Sequence, residues 1–418
     1  MSESLQGKIS FDSSGFNERK INGIGEQRVA QVHSVVSEYL SSKGWHSASC
    51  ECCHTLFLTK GQKAICGDEK CNGYEFIGEK RKNPPSIFDI ADKFHEVVDP
   101  DFQYCQPLPI VRDNSTTVFT GTAGQLFDPF IHEEIEAPLQ GLPIYTIQPV
   151  IRLQGRKIVG KKEGFSTSFT LLATEQFNAT LENHMSHFEH WIEILSEVGL
   201  FAGDLTLRHI ENRPNWGNGE FNTDVIKVFY KGLELGVSNF FINIPLIKSQ
   251  TSATMSDITF GLERLTWAAR KNRLYFGVFN PLIEVSNDQI EQLDAYRTLV
   301  LLSASGVESG HRDVGSKYKN LADTAFSFSQ PFKDELVNYY YEWWSHFQSF
   351  PLDLITTTQV ISIERNKRLN LALKKQFNLP DALNIKQPIE TTLIYAQMHG
   401  ILDDDLIQFM KNQHGKTN

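Results

Sequence analysis

Two groups of residues in this sequence have types and spacings that could do chemistry. The first is cationic and acidic. Arg152 leaves a strand-like run, Gln148-Pro149-Val150-Ile151-Arg152-Leu153, and a basic loop follows with Arg156, Lys157, Lys161 and Lys162. Phe169 stands on the return run, and Gly261-Leu262-Glu263-Arg264 comes later, just after Asp257. Glu234 lies between, in Lys231-Gly232-Leu233-Glu234-Leu235. Guanidinium forks suit bidentate grip on a carboxylate or phosphate. A carboxylate can hold Mg²⁺ or pair with an ammonium, and an aromatic ring offers a stacking face. Such a set fits a site where two anions must be brought together, because that reaction needs fixed cations and oriented donors. Each residue alone is commonplace; their order along the chain makes them a set.

The second group is sulfur. Cys50-x-x-Cys53 and Cys66-Gly67-Asp68-Glu69-Lys70-Cys71 offer two ligand pairs joined by a short hairpin-like connection. Two thiolate pairs on tight turns can close a tetrahedron around Zn²⁺. Four filled positions leave no place for water, so the expected zinc is structural. Cys52 and His54 are adjacent alternatives, and spacing leaves the fourth ligand open.

These residues need elements to position them. Val29, Val32, Val35, Val36, Tyr39 and Leu40 recur at helical spacing and predict a helix over 25–43. A charged linker, Glu79-Lys80-Arg81-Lys82-Asn83-Pro84-Pro85, marks a boundary. Strands are expected at Thr116–Thr120, Tyr145–Leu153, Ser166–Leu172, Ile226–Tyr230 and Phe240–Ile244, and a helix over 178–199. From about residue 288 the pattern turns helical. Few βαβ repeats occur, which favours an α+β fold with an antiparallel sheet flanked by helices. The expected division is 1–85, helix and zinc segment; 86–287, catalytic domain; 288–418, helical domain.

Composition bounds the function. The chain has 418 residues, 40% hydrophobic and 22% charged, an ordinary globular balance. No run is long and apolar enough for a membrane span, and no signal-peptide layout opens the chain, so a cytoplasmic protein without a membrane partner is expected. Net charge −10 weighs against tight non-specific nucleic-acid binding. All six cysteines precede residue 106, and five lie between Cys50 and Cys71, which in a reducing compartment suggests metal rather than disulfides. A second basic run, Arg365, Lys367, Arg368, Lys374 and Lys375, reads as a solvated helix face or as an RNA contact. His184, His187 and His190 fan over about 120° of a helix and read as its polar face.

The motifs together resemble the catalytic half of archaeal-type alanyl-tRNA synthetases, class II enzymes. Cys50 to Cys53, Cys66-Gly67-Asp68 to Cys71 and Tyr74-Glu75-Phe76-Ile77-Gly78 match that family's cysteine segment. Gln148 to Leu153 matches its Q-P-S-I-R-L, Lys231 to Leu235 its R-G-L-E-L, and Asp257 to Trp267 its D-T-G-Y-G-L-E-R-x-x-W. The resemblance spans roughly residues 25–330. It implies a class II antiparallel sheet, ATP, Mg²⁺, structural Zn²⁺ and an aminoacyl-adenylate. It implies that Arg152 bridges the amino-acid carboxylate and the α-phosphate. Phe169 and Arg264 would stack on adenine or grip the ATP tail, beside Gly261, and Glu234 would hold Mg²⁺. Asp257 would pair with the substrate ammonium, and Trp216 would line the amino-acid pocket. The partners implied are alanine or a small analogue and the acceptor end of a tRNA, with Asp294-Ala295-Tyr296-Arg297 opening a tRNA-binding region.

The departures are specific. Where the family carries Arg-His before its T-x-F-E-M, this chain has Gly164-Phe165, and the glutamate of that motif is Thr170. Gln154-Gly155 replaces Asn-Asp, and Lys227 replaces an acid. Each lost charge-assisted hydrogen bond costs about 1.5–3 kcal/mol; Lys161 or Lys162 could compensate. No His/Cys editing site follows, since no cysteine occurs after Cys105. A truncated, non-editing paralogue is therefore expected, charging alanine or an analogue onto tRNA. The alternatives are adenylate transfer to a carrier protein or amine, and a catalytically weak pseudo-synthetase with a regulatory role.

Overall fold

The computed structural model describes residues 21–79, 81–112, 117–212, 215–216, 219–249, 251–279, 287–326 and 335–377, with Ile394, Met398 and Gly400. Side chains are described from Val29 onward, apart from those of 215–216, 219–220, 287–288, Leu369, 372–373 and 376–377. The chain opens with α1 (Ile21–Ser42), the hairpin β1 (His46–Ser49) and β2 (Leu56–Thr59), and the short α2 (Glu69–Asn72). Then come α3 (Ile87–Val97), β3 (Gln103–Tyr104), α4 (Asp128–Ile131), β4 (Ile144–Ile151), β5 (Ser168–Phe177) and α5 (Leu181–Glu197). β6 (Leu205–Asn212), the two-residue β7 (Asn215–Trp216) and β8 (Gly219–Glu220), β9 (Thr223–Tyr230), β10 (Leu233–Pro245) and β11 (Ser252–Gly261) follow. Helices close the described chain: α6 (Leu262–Arg270), α7 (Asn287–Ala304), α8 (Asp313–Ala325), α9 (Glu335–Ser345) and α10 (Leu354–Phe377).

Nine strands form one sheet in the order β1-β2-β6-β9-β10-β11-β5-β4-β3. The architecture is α+β, as the sequence predicts, but the sheet is mixed. β3 and β4 pair in parallel, while every other neighbour is antiparallel. The parallel pair follows from the long crossover between them, since tight turns make antiparallel partners.

Two faces result. Residues in register share a face, and alternate residues take opposite faces. Thr174, Ile258 and Ser238 lie in one row. That face is covered by α5, whose Trp191 Nε1 donates to Thr174 Oγ1 at 2.6 Å. The adjoining rows on the opposite face carry Glu175, Asp257 and Asn239, then Phe177, Met255 and Phe241. The latter row joins an apolar cluster with Phe127, Ile131 and Phe221.

Several expectations need correction. The run 116–120 forms no strand: Thr116 lies outside the described residues, and Phe119 makes only a single bridge with Val111. β6 and β11 were not anticipated as strands, because Leu205–Asn212 and Ser252–Gly261 carry as many small and polar residues as apolar ones. The three histidines are not a solvated face. His184 and His187 are buried, and His184 lies 2.7 Å from Ser256 Oγ and 3.0 Å from Ser238 Oγ. α5 lies close to the sheet, so the polar hydroxyls on its inner face call for polar partners on the helix.

α7 is tied to the sheet. Asp294 accepts the Thr167 N–H at 2.9 Å, and Arg297 is sandwiched between Phe279 and Trp344. Asp294 and Arg297 are therefore buried internal anchors.

Candidate active site on one face of the sheet

β4 delivers Arg152 to the rim of the open face. Its Nε donates to Gly121 O at 2.8 Å, and its guanidinium lies 5.3 Å from the Phe169 ring centre. Solvent reaches Arg152, yet surrounding protein lowers its pKa through desolvation, with Asp257 acting in the opposite sense. Accessibility together with desolvation describes a recess. The ring expected to stack on adenine thus already has a cation over it.

Asp257 lies deeper, buried on β11. Asn239 Nδ2 donates to its Oδ2 at 3.3 Å, and the Glu175 carboxyl is its second side-chain partner. Burial pushes its pKa up to about 6, against the pull of Asn239, Glu175 and Arg152. Glu175 stands directly across from it on β5. Glu175 is fully buried, and its carboxyl hydrogen-bonds to that of Asp257, which requires a proton between the two acids. Burial, then Asp257, raises its pKa well above the carboxylate range. Sequence reasoning missed Glu175. The only available signal was an acid at an inward strand position, two residues before Phe177.

Arg264 is held by backbone. Its Nε donates to Gly164 O at 3.0 Å and its Nη1 to Glu234 O at 2.9 Å, with the guanidinium 5.4 Å from the Phe165 ring centre. Gly164 and Phe165, where the resemblance fails, therefore form the seat of Arg264. Gly164 takes φ +79°, a left-handed conformation that favours glycine. Gly261 is the N-cap of α6. Glu234 does not stand open for a metal: Lys227 Nζ lies 3.3 and 3.4 Å from its carboxylate oxygens.

The basic loop is partly spent on internal contacts. Arg156 Nη2 donates to Asn320 O on α8 at 3.0 Å, and Lys162 pairs with Glu69 at 2.7 Å. Lys157 and Lys161 are exposed. The second basic run is not an open strip either. Arg368 is buried against Asp323 and Glu364, and Lys367 Nζ donates to Ser309 Oγ at 2.8 Å. Trp216 belongs to β7, but its side chain lies outside the described residues.

Cys50, Cys53, Cys66 and Cys71 do converge. Their four sulfurs lie within 4.8 Å of one another, with Cys53–Cys66 and Cys66–Cys71 at 3.8 Å. Four thiolates at about 2.3 Å from a central zinc stand about 3.8 Å apart, so the set is compatible with that ion. The Cys66 N–H donates to Cys50 Sγ, and Arg208 Nη2 to Cys66 Sγ at 3.0 Å, which helps offset thiolate charge. Cys52 and His54 stand outside this group.

A second cluster sits on the helix-covered face. Asp224 lies 2.8 Å from both His33 Nδ1 and His209 Nε2. The two imidazoles stack at 3.7 Å, so their in-plane lone pairs run side by side instead of converging. The trio reads as a buried carboxylate held between two rings.

The fold is thus an α+β protein whose mixed, helix-flanked sheet carries an acidic and cationic recess on one face. In sequence, the chain is similar to archaeal alanine–tRNA ligases. That of Halobacterium salinarum is 26% identical over 299 residues, 63% of this chain and 31% of the relative. Those of Methanosarcina mazei and Thermoplasma acidophilum are also 26% identical, over 67% and 62% of this chain and 32% and 31% of theirs. The chain spans about a third of the length of these relatives. No family model matches it. Among solved structures, a pyrrolysyl tRNA synthetase from Desulfitobacterium hafniense aligns with TM-score 0.35 and 15% identity, covering 49% of this chain and 73% of that one. Among the described residues, no helix is long and apolar enough to cross a membrane.

Proposed function

We propose that this chain is a cytoplasmic, class II-type ligase that activates an amino acid with ATP and transfers it to a tRNA acceptor end. The observation that carries the reading is the polarity of one sheet face. Arg152 stands at its rim and acts electrostatically on Asp257 deeper in the same face. An amino acid placed between them has its ammonium at Asp257 and its carboxylate at Arg152. A carboxylate oxygen then attacks the α-phosphorus of ATP, a P–O bond forms, and pyrophosphate leaves. Arg152 offsets charge shared by the two anions as they meet. Phe169 and Arg264, beside Gly261, bound the nucleotide position, and Trp216 belongs to the amino-acid side. Mg²⁺ would screen the phosphates; Glu234 is its candidate ligand, once released by Lys227.

In this reading residues 86–287 do the chemistry and 288–418 approach the acceptor. Residues 1–85 brace the sheet through Zn²⁺ held by Cys50, Cys53, Cys66 and Cys71. A second reading, transfer to a carrier protein or amine, is favoured by one observation: Arg368 and Lys367 of α10 are engaged internally, so that helix offers less cation to RNA than its sequence suggests.

The test is amino-acid-dependent ATP–pyrophosphate exchange. Wild type is expected to exchange, and Arg152→Ala to lose at least about 100-fold, the scale of one transition-state donor. Equal exchange in both would sink the assignment of Arg152; ATP binding without exchange would support the pseudo-synthetase. Charging of tRNA-Ala separates the acceptors.

A further inference from the structure

β5 loses a neighbour where the site begins. β11 runs beside it only as far as Leu171, opposite Gly261, and there the chain turns into α6. β4 continues beside β5 down to Ser168. Buried backbone groups at such an edge need other partners, and side chains of two helices supply them. Glu263 of α6 accepts the Thr170 N–H, and Asp294 of α7 accepts that of Thr167. Arg297 Nη2 donates to Ser168 O, and Thr298 Oγ1 lies 2.8 Å from Ser168 Oγ.

Arg297 is the costly member of this set. It is fully buried, with its guanidinium 4.1 Å from the Phe279 ring centre and 4.7 Å from that of Trp344. Glu263 Oε1 stands 4.0 Å from its Nη1, and among the described residues neither Nη1 nor Nε has a hydrogen-bond partner. Replacing a buried charge by a well-packed apolar side chain is often neutral or stabilising. Packing between Phe279 and Trp344 therefore does not call for a guanidinium. What the guanidinium adds is a donor to Ser168 O. That contact reaches the site in one step. Phe169 is the next residue and carries the Arg152 guanidinium over its ring, and the Arg152 N–H donates to Thr167 O at 2.8 Å. Moving this stretch moves both.

We propose that Arg297 is a positioning residue for amino-acid activation: by holding Ser168 O it fixes where Phe169 and Arg152 stand at the nucleotide position. That position rests on the adenylate-forming reading above. Arg297 itself touches no substrate. α7 is then part of the foundation of the site, and the helical region serves the activation step as well as the acceptor. A misplacement of about 1 Å can cost on the order of 100-fold, so a single lost anchor is enough to be read.

The experiment compares the full chain with Arg297→Met and Arg297→Lys in Tm, in ATP binding by equilibrium dialysis and in amino-acid-dependent pyrophosphate exchange. Methionine fills the slot and removes the donor; lysine can still donate to Ser168 O. The expected result for Arg297→Met is a Tm within a few degrees of wild type, with the Kd and KM for ATP raised at least about tenfold. Arg297→Lys should fall between the two. The Kd decides. Unchanged in folded Arg297→Met, with or without a lower Tm, it makes the arginine merely structural and overturns the inference. Binding is read without catalysis, so a wild type that binds ATP but exchanges no amino acid defeats the adenylate reading while the Kd comparison still decides Arg297. A wild type that binds no ATP overturns both. Should Arg297→Met fail to fold, a wild-type Kd in Arg297→Lys overturns the inference.

Discussion

His184 shows how a single side chain can set the acid limit of the fold. It is fully buried between two serine hydroxyls, and burial holds its pKa down at about 3; His187, also buried, is held at about 4. Both are neutral in the folded protein, whereas in the unfolded chain each titrates near 6.5. Below that value the unfolded state binds more protons, so stability falls as pH falls from about 6.5 towards 4. His33 works in the opposite sense. Its pKa is raised by Asp224, so its contribution is complete below 6.5 and is lost as pH rises through the folded value. His33 is partly exposed and weighs less. Urea unfolding of wild type between pH 7 and 4.5 should therefore show declining stability, and His184→Gln a shallower decline by about one proton. Parallel profiles would refute the neutral assignment. None of this was legible in the sequence, where three histidines at i, i+3 and i+6 look like a polar stripe. Spacing identifies who shares a side of a helix, not whether that side meets water or buried serines.

At the scale of elements, the junction of β11 and α6 does the positioning. The strand runs straight into the helix at Gly261, and the first turn splits its charges. Glu263 points to the covered face and accepts the Thr170 N–H at 3.0 and 2.9 Å. Arg264, about 100° further round, reaches Gly164 O and Glu234 O at the site. One residue locks the helix to β5, and its neighbour aims at the nucleotide position. Glu263→Ala should destabilise by about 1–3 kcal/mol, since it strands a buried N–H. It should also lower exchange by releasing Arg264, measured by unfolding and by exchange on the same preparation. Full stability in that variant would contradict the lock. Much of this junction was readable as a motif, Asp257 to Trp267, before it was readable as structure. The motif located Asp257 and Arg264. It did not show β11 as a strand, because Ser252-Ala253-Thr254-Met255-Ser256 has little β-branched or aromatic character. Nor did it show that Thr170, a departure, keeps its backbone tied to Glu263. The strands rich in Val, Ile and Phe were legible in place: β9 and β10 were expected too short, and β4 was carried two residues too far, to Leu153.

At the scale of the molecule, the cysteine segment is built onto the sheet. β2 pairs with β6 through Leu58–Leu207 and Thr59–Thr206. Thr206 Oγ1 donates to Cys66 O at 2.8 Å, and Arg208 also reaches Asp68 at 3.0 Å. Gly232, at φ +97°, meets Gly73 so closely that an added Cβ would lie 1.7 Å from its carbonyl oxygen, so only glycine fits there. The proposed zinc should therefore support the sheet as well as its own loops. One zinc per chain is expected by elemental analysis, and chelation should lower Tm by several degrees. Zinc-free protein of unchanged Tm would remove the metal from the account.

The hairpin that this segment carries has one more consequence. β1 is four residues long and β3, at the far side, two. Both ends of a nine-stranded ribbon thus finish in stubs, offering little backbone to a neighbouring chain. If the sulfur cluster lets go and β1–β2 peels off, the eight-residue β6 becomes the border. A row of unpaired amides and carbonyls is then open to another copy. Loss of the ion would first be seen as turbidity that grows with protein concentration, before the recess itself has changed shape.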